Sequence, residues 1–526
     1  MTNSFREVLD AESILMIGSN PTEAHPVFGT IFKRAVANGA KLIVVDPRKI
    51  ELAEIADIYV PIKPGTNIAF ANGVAHVVYK EGLHDEKYIN ERTEGFDEYL
   101  KVIEKYTPEY AAEICEIDPQ QIIDVALQYA GANKSSIFYT LGITEHITGT
   151  RNVTSLSNLA LLTGNIGFES AGINPIRGQN NVQGACDMGA LPSDYPGYQK
   201  VNRPEIKEKF EEAWGVELSD KIGRTATAVF DDILEGTIKG LYIVGEDQAT
   251  SDPNLGHVRK ALSSLDFLVV QDLFLTPTAE FADVVLPAAS YAEKNGTFTS
   301  SERRVQRVRQ AIEPLEGTRT DVDILTELST RMGYPMQYDS YEEVFNEMAS
   351  LNPSYSGMTY ETIDSKGIQW PATKEKPEGT KFLHEGVMAG GVGLFIGYEH
   401  EGPGETTDEE YPLILSTGRN LYQYCVANMT NKTEGIEAIA GESYIEMNPA
   451  LAEKYGMENG EMIEVSSRRG KITTKVRFRE GIRKDMCWMP FHYQEGNSNE
   501  LTSNYRCPTA NTPEYKACAI SISKIS

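Results

Sequence analysis

One spacing pattern occurs twice in this chain and constrains its fold more than any other feature. An apolar run at residues 14–17 ends in Gly18-Ser19-Asn20, a second at 42–45 ends in Asp46-Pro47-Arg48, and Ala56-Asp57 leads a third to Pro61. Later the run at 241–244 ends in Gly245-Glu246-Asp247, the run at 268–271 ends in Asp272, and Ala282-Asp283 leads to Pro287. Gly18 to Asp46 is 28 positions and Gly245 to Asp272 is 27, while Asp46 to Asp57 and Asp272 to Asp283 are both 11. With the amphipathic stretch 24–40 between the first two runs, this is a βαβ rhythm and predicts doubly wound parallel sheets. A glycine at a strand's C-terminal end lets backbone approach a phosphate, and the next helix N-terminus offers N–H donors. An acid ending the next strand can accept from ribose hydroxyls or a guanine edge. Either acid alone reads equally well as a strand end or helix cap; the recurrence favours two mononucleotide-binding halves.

A third strand at 58–62 leads to Gly65-Thr66-Asn67, and helical spacing at 68–79 makes Thr66 or Asn67 its N-cap. Further helices are expected at 97–106, 118–130 and 154–162. The segment 172–189 is too rich in glycine and amide for a core and too poor in charge for a solvated run, so it reads as a buried, ligand-facing polar loop. After about residue 400 come strands at 411–416, 462–467, 471–478 and 517–522, with hairpin signals at Asn459-Gly460 and Arg469-Gly470, predicting a β-barrel. The resulting division is a first α/β lobe with a helical insertion at 1–179, a second at 180–330, a linker and insertion at 331–400, where Gly390-Gly391-Val392-Gly393 reads as a turn, and the barrel at 401–526.

Composition removes whole classes of function. A net charge of -27 is opposite to what a phosphate backbone attracts, so nucleic acid is not an expected partner. No apolar run approaches the roughly 20 residues that span a bilayer. The six cysteines form no CxxC pair and the eight histidines no HExxH or HxH pair, so no metal ligand is assigned. The thiols read as those of a reduced compartment, which places the chain in the cytoplasm. No secretory or twin-arginine signal opens the sequence, and residues 1–11 run so quickly into a core strand that this N-terminus is not expected to be the natural one.

Against this background the segment Pro175-Ile-Arg177-Gly178-Gln179-Asn180-Asn181-Val-Gln183-Gly184-Ala-Cys186-Asp187-Met-Gly189 closely resembles the signature of formate dehydrogenase catalytic subunits in the molybdopterin oxidoreductase superfamily. Val45-Asp46-Pro47-Arg48, Arg92-Thr-Glu-Gly-Phe96, Tyr106-Thr-Pro-Glu109 and Thr512-Pro-Glu-Tyr515-Lys516 share the resemblance, which covers the whole chain. It implies molybdenum or tungsten held by two molybdopterin guanine dinucleotides, two nucleotide tails for two repeated halves, and a closing barrel of the double-psi type. It also implies that Arg177 contacts formate and that Gln179 lies beside the pterin. The chemistry is independently sound, because a planar guanidinium matches a small carboxylate bidentately and keeps its charge.

By the same resemblance Gly18, Ser19, Asn20, Asp46, Arg48, Gly65 and Asn67 grip one dinucleotide. Gly245, Glu246, Asp247, Gln271, Asp272 and Thr276 are candidates for the other or for its pterin. Ser416-Thr417-Gly418-Arg419 corresponds to a pterin-contacting turn, and Asn499, Tyr515 and Lys516 to a C-terminal pocket. Where many relatives have histidines after that arginine, this chain has Tyr422-Gln423-Tyr424; His25 and His492 read as supporting histidines rather than ligands. The family's N-terminal [4Fe–4S] domain and the loop carrying a cysteine or selenocysteine ligand have no counterpart in this sequence. The chain is therefore expected to begin just beyond that loop, through a selenocysteine codon misread as a stop, a truncation or a split gene, and to be inactive alone. The leading expectation is oxidation of formate to CO2 with two electrons passed to an iron–sulfur or other acceptor subunit. The alternatives are a non-catalytic scaffold in an electron-transfer complex and a nitrate reductase-like oxidoreductase.

Overall fold

The computed structural model describes residues 1–525, which divide into two compact units. One comprises Met1–Gly178, Thr250–Gly256 and the chain from Phe382 onward; the other comprises Gln179–Ala249 and His257–Lys381.

The first unit is built on a five-stranded parallel sheet: β1 (Ser13–Ile17), β2 (Lys41–Val45), β3 (Ile58–Val60), β4 (Ser135–Tyr139) and β5 (Gly172–Pro175), in the order β3-β2-β1-β4-β5. The apolar runs are continuous because both faces are covered. Leu15, Ile17, Ile43 and Val45 join one core with residues of the helices Asn67–Lys80, Pro119–Ala130 and Gly149–Leu162. Ile14, Met16, Leu42 and Val44 join another with Phe28 and Phe32 of the helix Pro26–Ala37. Strand order reverses on either side of β1, and the crevice outside the C-terminal ends there is where such sheets bind ligands.

In this unit one local reading of the sequence is refined and another corrected. Thr66 occupies the N-cap of Asn67–Lys80, but its hydroxyl donates to the Lys63 carbonyl at 2.7 Å and does not cap the helix. The expected polar loop is in part the edge strand β5, disguised by its glycine, asparagine and proline. Asn174 is fully buried, and its Oδ1 accepts the Asn3 N–H at 3.1 Å, while Thr2 N–H donates to the Ile173 carbonyl.

The same unit contains the expected barrel, closed by six strands: β9 (Leu413–Gly418), β10 (Tyr444–Met447), β11 (Met462–Ser466), β12 (Lys471–Phe478), β13 (Met486–Pro490) and β14 (Cys518–Lys524), in the order β9-β13-β10-β12-β11-β14. The pairs β9/β13 and β10/β12 are parallel. The turn at Arg469-Gly470 joins β11 to β12, with Ser467 N–H donating to the Gly470 carbonyl. Asn459-Gly460 is not a hairpin; its Oδ1 accepts the Phe478 N–H at 2.9 Å, so it fastens the end of β12.

In the second unit β6 (Gly240–Val244), β7 (Phe267–Asp272) and β8 (Val284–Pro287) form a parallel sheet in the order β8-β7-β6, the counterpart of β3-β2-β1. The repeat extends to single hydrogen bonds. Gly18 and Gly245 both have positive φ, +55° and +63°, and their N–H groups donate to the Val45 and Gln271 carbonyls. Asp57 and Asp283 each brace the adjacent strand, accepting the N–H of Leu42 and Leu268 while donating their own to the same residues' carbonyls. This copy stops at three strands and continues into an antiparallel sheet of Gly296–Thr299, Arg304–Val308 and Ile368–Gln369. The stretch read as linker and insertion carries a cluster of its own, in which Phe345, Tyr355, Met358, Tyr360 and Ile363 pack with Val305. Gly390 and Gly391 form a turn at positive φ. Among the described residues, no helix is long and apolar enough to cross a membrane.

Candidate functional site

All five strands of the first sheet end at one edge, and the residues that follow them line a pocket enclosing about 970 Å³ of empty space, its open mouth included. Two turns make its floor. After β1 the Gly18 carbonyl accepts from Gly142 N–H at 3.1 Å and from Thr140 Oγ1 at 2.8 Å. A Cβ on Gly18 would lie 2.7 Å from the Gly142 carbonyl carbon, and one on Gly142 would lie 2.6 Å from the Gly18 Cα, so only a glycine pair lets the turns after β1 and β4 cross. Ser19 follows with a buried hydroxyl that has no hydrogen-bond partner. Asn20 accepts from the Thr22 hydroxyl as the chain enters the short helix Pro21–Ala24. After β3, Gly65 at φ +87° and the buried Asn67 complete this side.

The end of β2 supplies the acid. Asp46 Oδ1 accepts the Arg48 N–H at 2.9 Å, and burial pushes its carboxyl up to about 6, against partial opposition from Arg48. Arg48 is only 5% exposed and its donors point to protein carboxylates: Nε and Nη2 reach Glu446 at 2.7 and 3.1 Å, and Nη1 reaches Glu23 at 3.1 Å. Its Cζ lies over the Trp488 ring, 4.1 Å from the centroid. Burial works against the charge, but Glu23 and Glu446 outweigh it and keep the guanidinium protonated. Thus Arg48 lines the pocket while acting as a brace between β2 and the barrel strand β10.

The barrel contributes the opposite wall through Ser416, Thr417, Gly418 and Arg419 at the end of β9. Gly418 sits where a Cβ would meet the Trp488 Nε1 at 2.7 Å. Lys516 Nζ donates to the Thr417 carbonyl at 2.8 Å and pairs with Glu145 at 2.6 Å, and Thr417 Oγ1 donates to the Tyr515 carbonyl. Arg419 Nη1 donates to the Gly178 carbonyl at 2.8 Å, whereas its Nε and Nη2 are buried without a hydrogen-bond partner. Basic groups (Arg419, Lys516) and an acid (Asp46) therefore face one pocket, with orphaned donors among them.

Two histidines neighbour Arg419. His492 is buried, accepts the Asn420 N–H at Nε2 and bonds the Cys425 carbonyl through Nδ1; burial and Arg419 push its pKa down to about 4. It is a fully satisfied neutral histidine. His25 lines the pocket and bonds the Arg177 carbonyl through Nε2 at 2.6 Å, and burial lowers its pKa too. Sequence reading underestimated His25, whose Ala24-His25-Pro26 context carries no motif, and missed Glu23, Gly142, Glu446 and Trp488 altogether.

The remaining candidates fall elsewhere. Arg177 is half-buried and adjoins the pocket through Gly178. Asn499 Nδ2 donates to the carbonyls of Thr250 and Ser251, and Tyr515 OH to that of Ser251, so both anchor the segment Thr250–Gly256. Gln179, Gly245, Glu246, Asp247, Gln271, Asp272 and Thr276 belong to the second unit, except that several already have internal roles there. Asp247 Oδ1 accepts both the N–H and the hydroxyl of Thr278, while its Oδ2 is buried and unpartnered. Gln271 is held between Tyr242 and Asp321, and Thr276 Oγ1 accepts the Ala279 N–H. Asp272 accepts the Leu273 N–H, and burial raises its pKa as it does for Asp46.

Comparison with known proteins agrees with this architecture. Residues 1–331 match the family described as molybdopterin oxidoreductase, and residues 413–519 match the molydopterin dinucleotide binding domain. The chain belongs to the molybdopterin oxidoreductase family. It is 46% identical to the F420-dependent formate dehydrogenase subunit alpha of Methanocaldococcus jannaschii, over all of this chain and 78% of that protein. It is 40% identical to formate dehydrogenase H of Escherichia coli, over all of this chain and 74% of that protein. Acetylene hydratase from Pelobacter acetylenicus shares the fold, with a TM-score of 0.79 at 20% identity, covering 99% of this chain and 79% of that one.

The pocket fits a dinucleotide of this family. Ser19 Oγ and the free Arg419 donors suit an anionic or carbonyl-rich group, the glycine crossing leaves backbone rather than side chain at the floor, and Asp46 offers an acceptor to an N–H edge.

Proposed function

We propose that this chain carries the cofactor-binding lobes and barrel of a formate dehydrogenase catalytic subunit, an oxidoreductase that converts formate to CO2 with transfer of two electrons. The observation that carries this reading is the convergence of the β1 and β2 ends with the β9 turn on one pocket containing buried, unpartnered donors, in a chain with formate dehydrogenase relatives along its whole length. When bound, a molybdenum or tungsten bis-molybdopterin guanine dinucleotide supplies the two-electron redox centre. The residues of the chain do the rest. Ser19, Asn20, Gly65 and Asn67 hold one nucleotide tail by backbone and amide contacts, Asp46 accepts from its base, and Arg419 and Lys516 offset its charge. Gly245, Glu246, Asp247 and Asp272 serve the second tail, and Gln179 lies beside the pterin. Arg177 binds the formate carboxylate through two parallel N–H donors and fixes its orientation, a local cation in a molecule of charge -27. Electrons leave to an iron–sulfur or other acceptor subunit.

The test is metal and pterin content together with formate-dependent dye reduction by the full-length gene product. Pterin with formate-dependent reduction supports the reading. Pterin with nitrate-dependent dye oxidation instead would favour a nitrate reductase-like enzyme, and a folded protein with neither would favour a scaffold.

A further inference from the structure

Two consecutive carbonyls, those of Arg177 and Gly178, each accept a hydrogen bond from a side chain far away in sequence. His25 Nε2 reaches the first at 2.6 Å and Arg419 Nη1 the second at 2.8 Å. A carbonyl can only accept, so Nε2 of His25 carries the proton and Nδ1 is left as an acceptor. That Nδ1 is buried with no partner, as are Nε and Nη2 of Arg419, and both side chains line the pocket described above. Gly178 permits the approach, since a Cβ there would stand 2.5 Å from Arg419 Nη2. Each side chain therefore has one polar atom bonded to the turn and others left buried and unsatisfied beside the pocket, Arg419 Nη2 among them lying against Gly178 itself. Leaving such atoms unpaired is costly, and a ligand offering both acceptors and N–H donors would satisfy them and restrict both side chains.

We propose that His25 and Arg419 are positioning residues that clamp the Arg177-Gly178 turn from two sides and transmit filling of the pocket to it. The catalytic consequence rests on the reading of Arg177 as the formate-binding group; the clamp itself does not. A loaded pocket holds the turn at the geometry that formate needs, whereas an empty one leaves both clamps without support on their far side.

Hydrogen exchange across residues 173–184 tests this in the full-length protein, as purified with its cofactor and after the cofactor is stripped. His25→Phe keeps a ring but loses both nitrogens; His25→Gln restores a donor near the Nε2 position. In the wild type, loading should slow exchange across the turn. His25→Phe should speed it about tenfold in both forms and abolish most of the response to loading, and His25→Gln should recover most of both. The KM for formate should rise about tenfold in His25→Phe with kcat within twofold. Gly178→Ala, which displaces the Arg419 guanidinium, should loosen the same amides with His25 intact and decides the matter if His25→Phe does not fold. Wild-type exchange in both variants, loaded and stripped, overturns the clamp. If exchange responds but formate kinetics do not, the clamp stands and the assignment of Arg177 fails. If the wild type never carries pterin, the cofactor reading fails while the cofactor-free comparison still decides the clamp.

Discussion

At the pocket wall a single carboxyl has two opposing effects. Asp46 has a folded-state pKa near 6 against an ordinary 3.8, because burial disfavours its charge. The folded chain therefore holds that proton more tightly than the unfolded chain does, so the contribution to stability is full below about pH 4 and is lost as pH rises through about 6. Asp46→Asn should stabilise the cofactor-free protein by about 3 kcal/mol at pH 8 and by well under about 1 kcal/mol at pH 4, measured by urea denaturation at the two values. Cofactor retention should follow the reverse trend. If ionised Asp46 accepts from the base, affinity for the cofactor should weaken as pH falls below about 6, and the asparagine variant should lose that dependence. Arg177 offers a cleaner separation of binding from chemistry. Arg177→Lys keeps the charge but not the fork, and kcat/KM for formate should fall on the order of 100-fold with pterin content unchanged. Unaltered kinetics would show that this guanidinium does not touch the substrate.

At the scale of elements, the ends of strands do the functional work and their interiors keep them in register. Strands β1, β2 and β3 were readable because their runs are apolar and end in glycine, aspartate or proline, whereas β4, Ser135–Tyr139, opens on two serines and was not read. Strands β10 and β13 were not read either, since each is short and Tyr444–Met447 carries the buried Glu446 within it, so neither shows a clear β-branched run or alternation. β5 was hidden for a further reason, a sequence of polar and breaker residues whose amide side chain is satisfied inside the protein. The site divides similarly. Gly18, Asp46 and Arg419 could be picked out because they sit at motif positions, but the partners that hold them, Glu446 and Gly142 among them, depend on packing between segments distant in sequence. Two predictions follow from that packing. Removing Glu446 leaves the buried Arg48 charge with Glu23 alone, so Glu446→Leu should cost about 3–5 kcal/mol in thermal or urea unfolding. Gly142→Ala places a methyl against the backbone of Gly18, which cannot yield as a side chain would; about 3 kcal/mol should be lost, together with cofactor binding.

For the whole molecule, the repeat fixed the architecture more firmly than any motif. Asp57 and Asp283 illustrate why it persists independently of ligand: each braces the strand pair beside it, so the spacing of 11 is set by the fold. What diverges is the rest of each copy, a five-stranded sheet in one case and a three-stranded sheet in the other. The orphaned polar groups of the pocket imply that the empty protein is less stable than it could be. With free cofactor at about a thousand times its dissociation constant the gain is about 4 kcal/mol, and for a unit of this size the melting temperature should rise by roughly 5–10 °C. Calorimetry of loaded and stripped protein should show that shift; identical transitions would mean that the pocket does not hold the cofactor.

The pocket's two walls also set a timetable for biosynthesis. Its floor is complete once residue 142 has been translated, but Ser416 to Arg419 and Lys516 emerge only after several hundred further residues. At about 5–20 residues per second the ribosome needs from tens of seconds to more than a minute to supply them. Through that interval the nascent first lobe presents a half-built cleft that no dinucleotide can be locked into. On the proposed reading of this pocket, a dinucleotide can be enclosed only after residue 516 has been made, and the closing of β9 against β1 and β2 is the step at which an assembly factor could check whether the cleft has been filled.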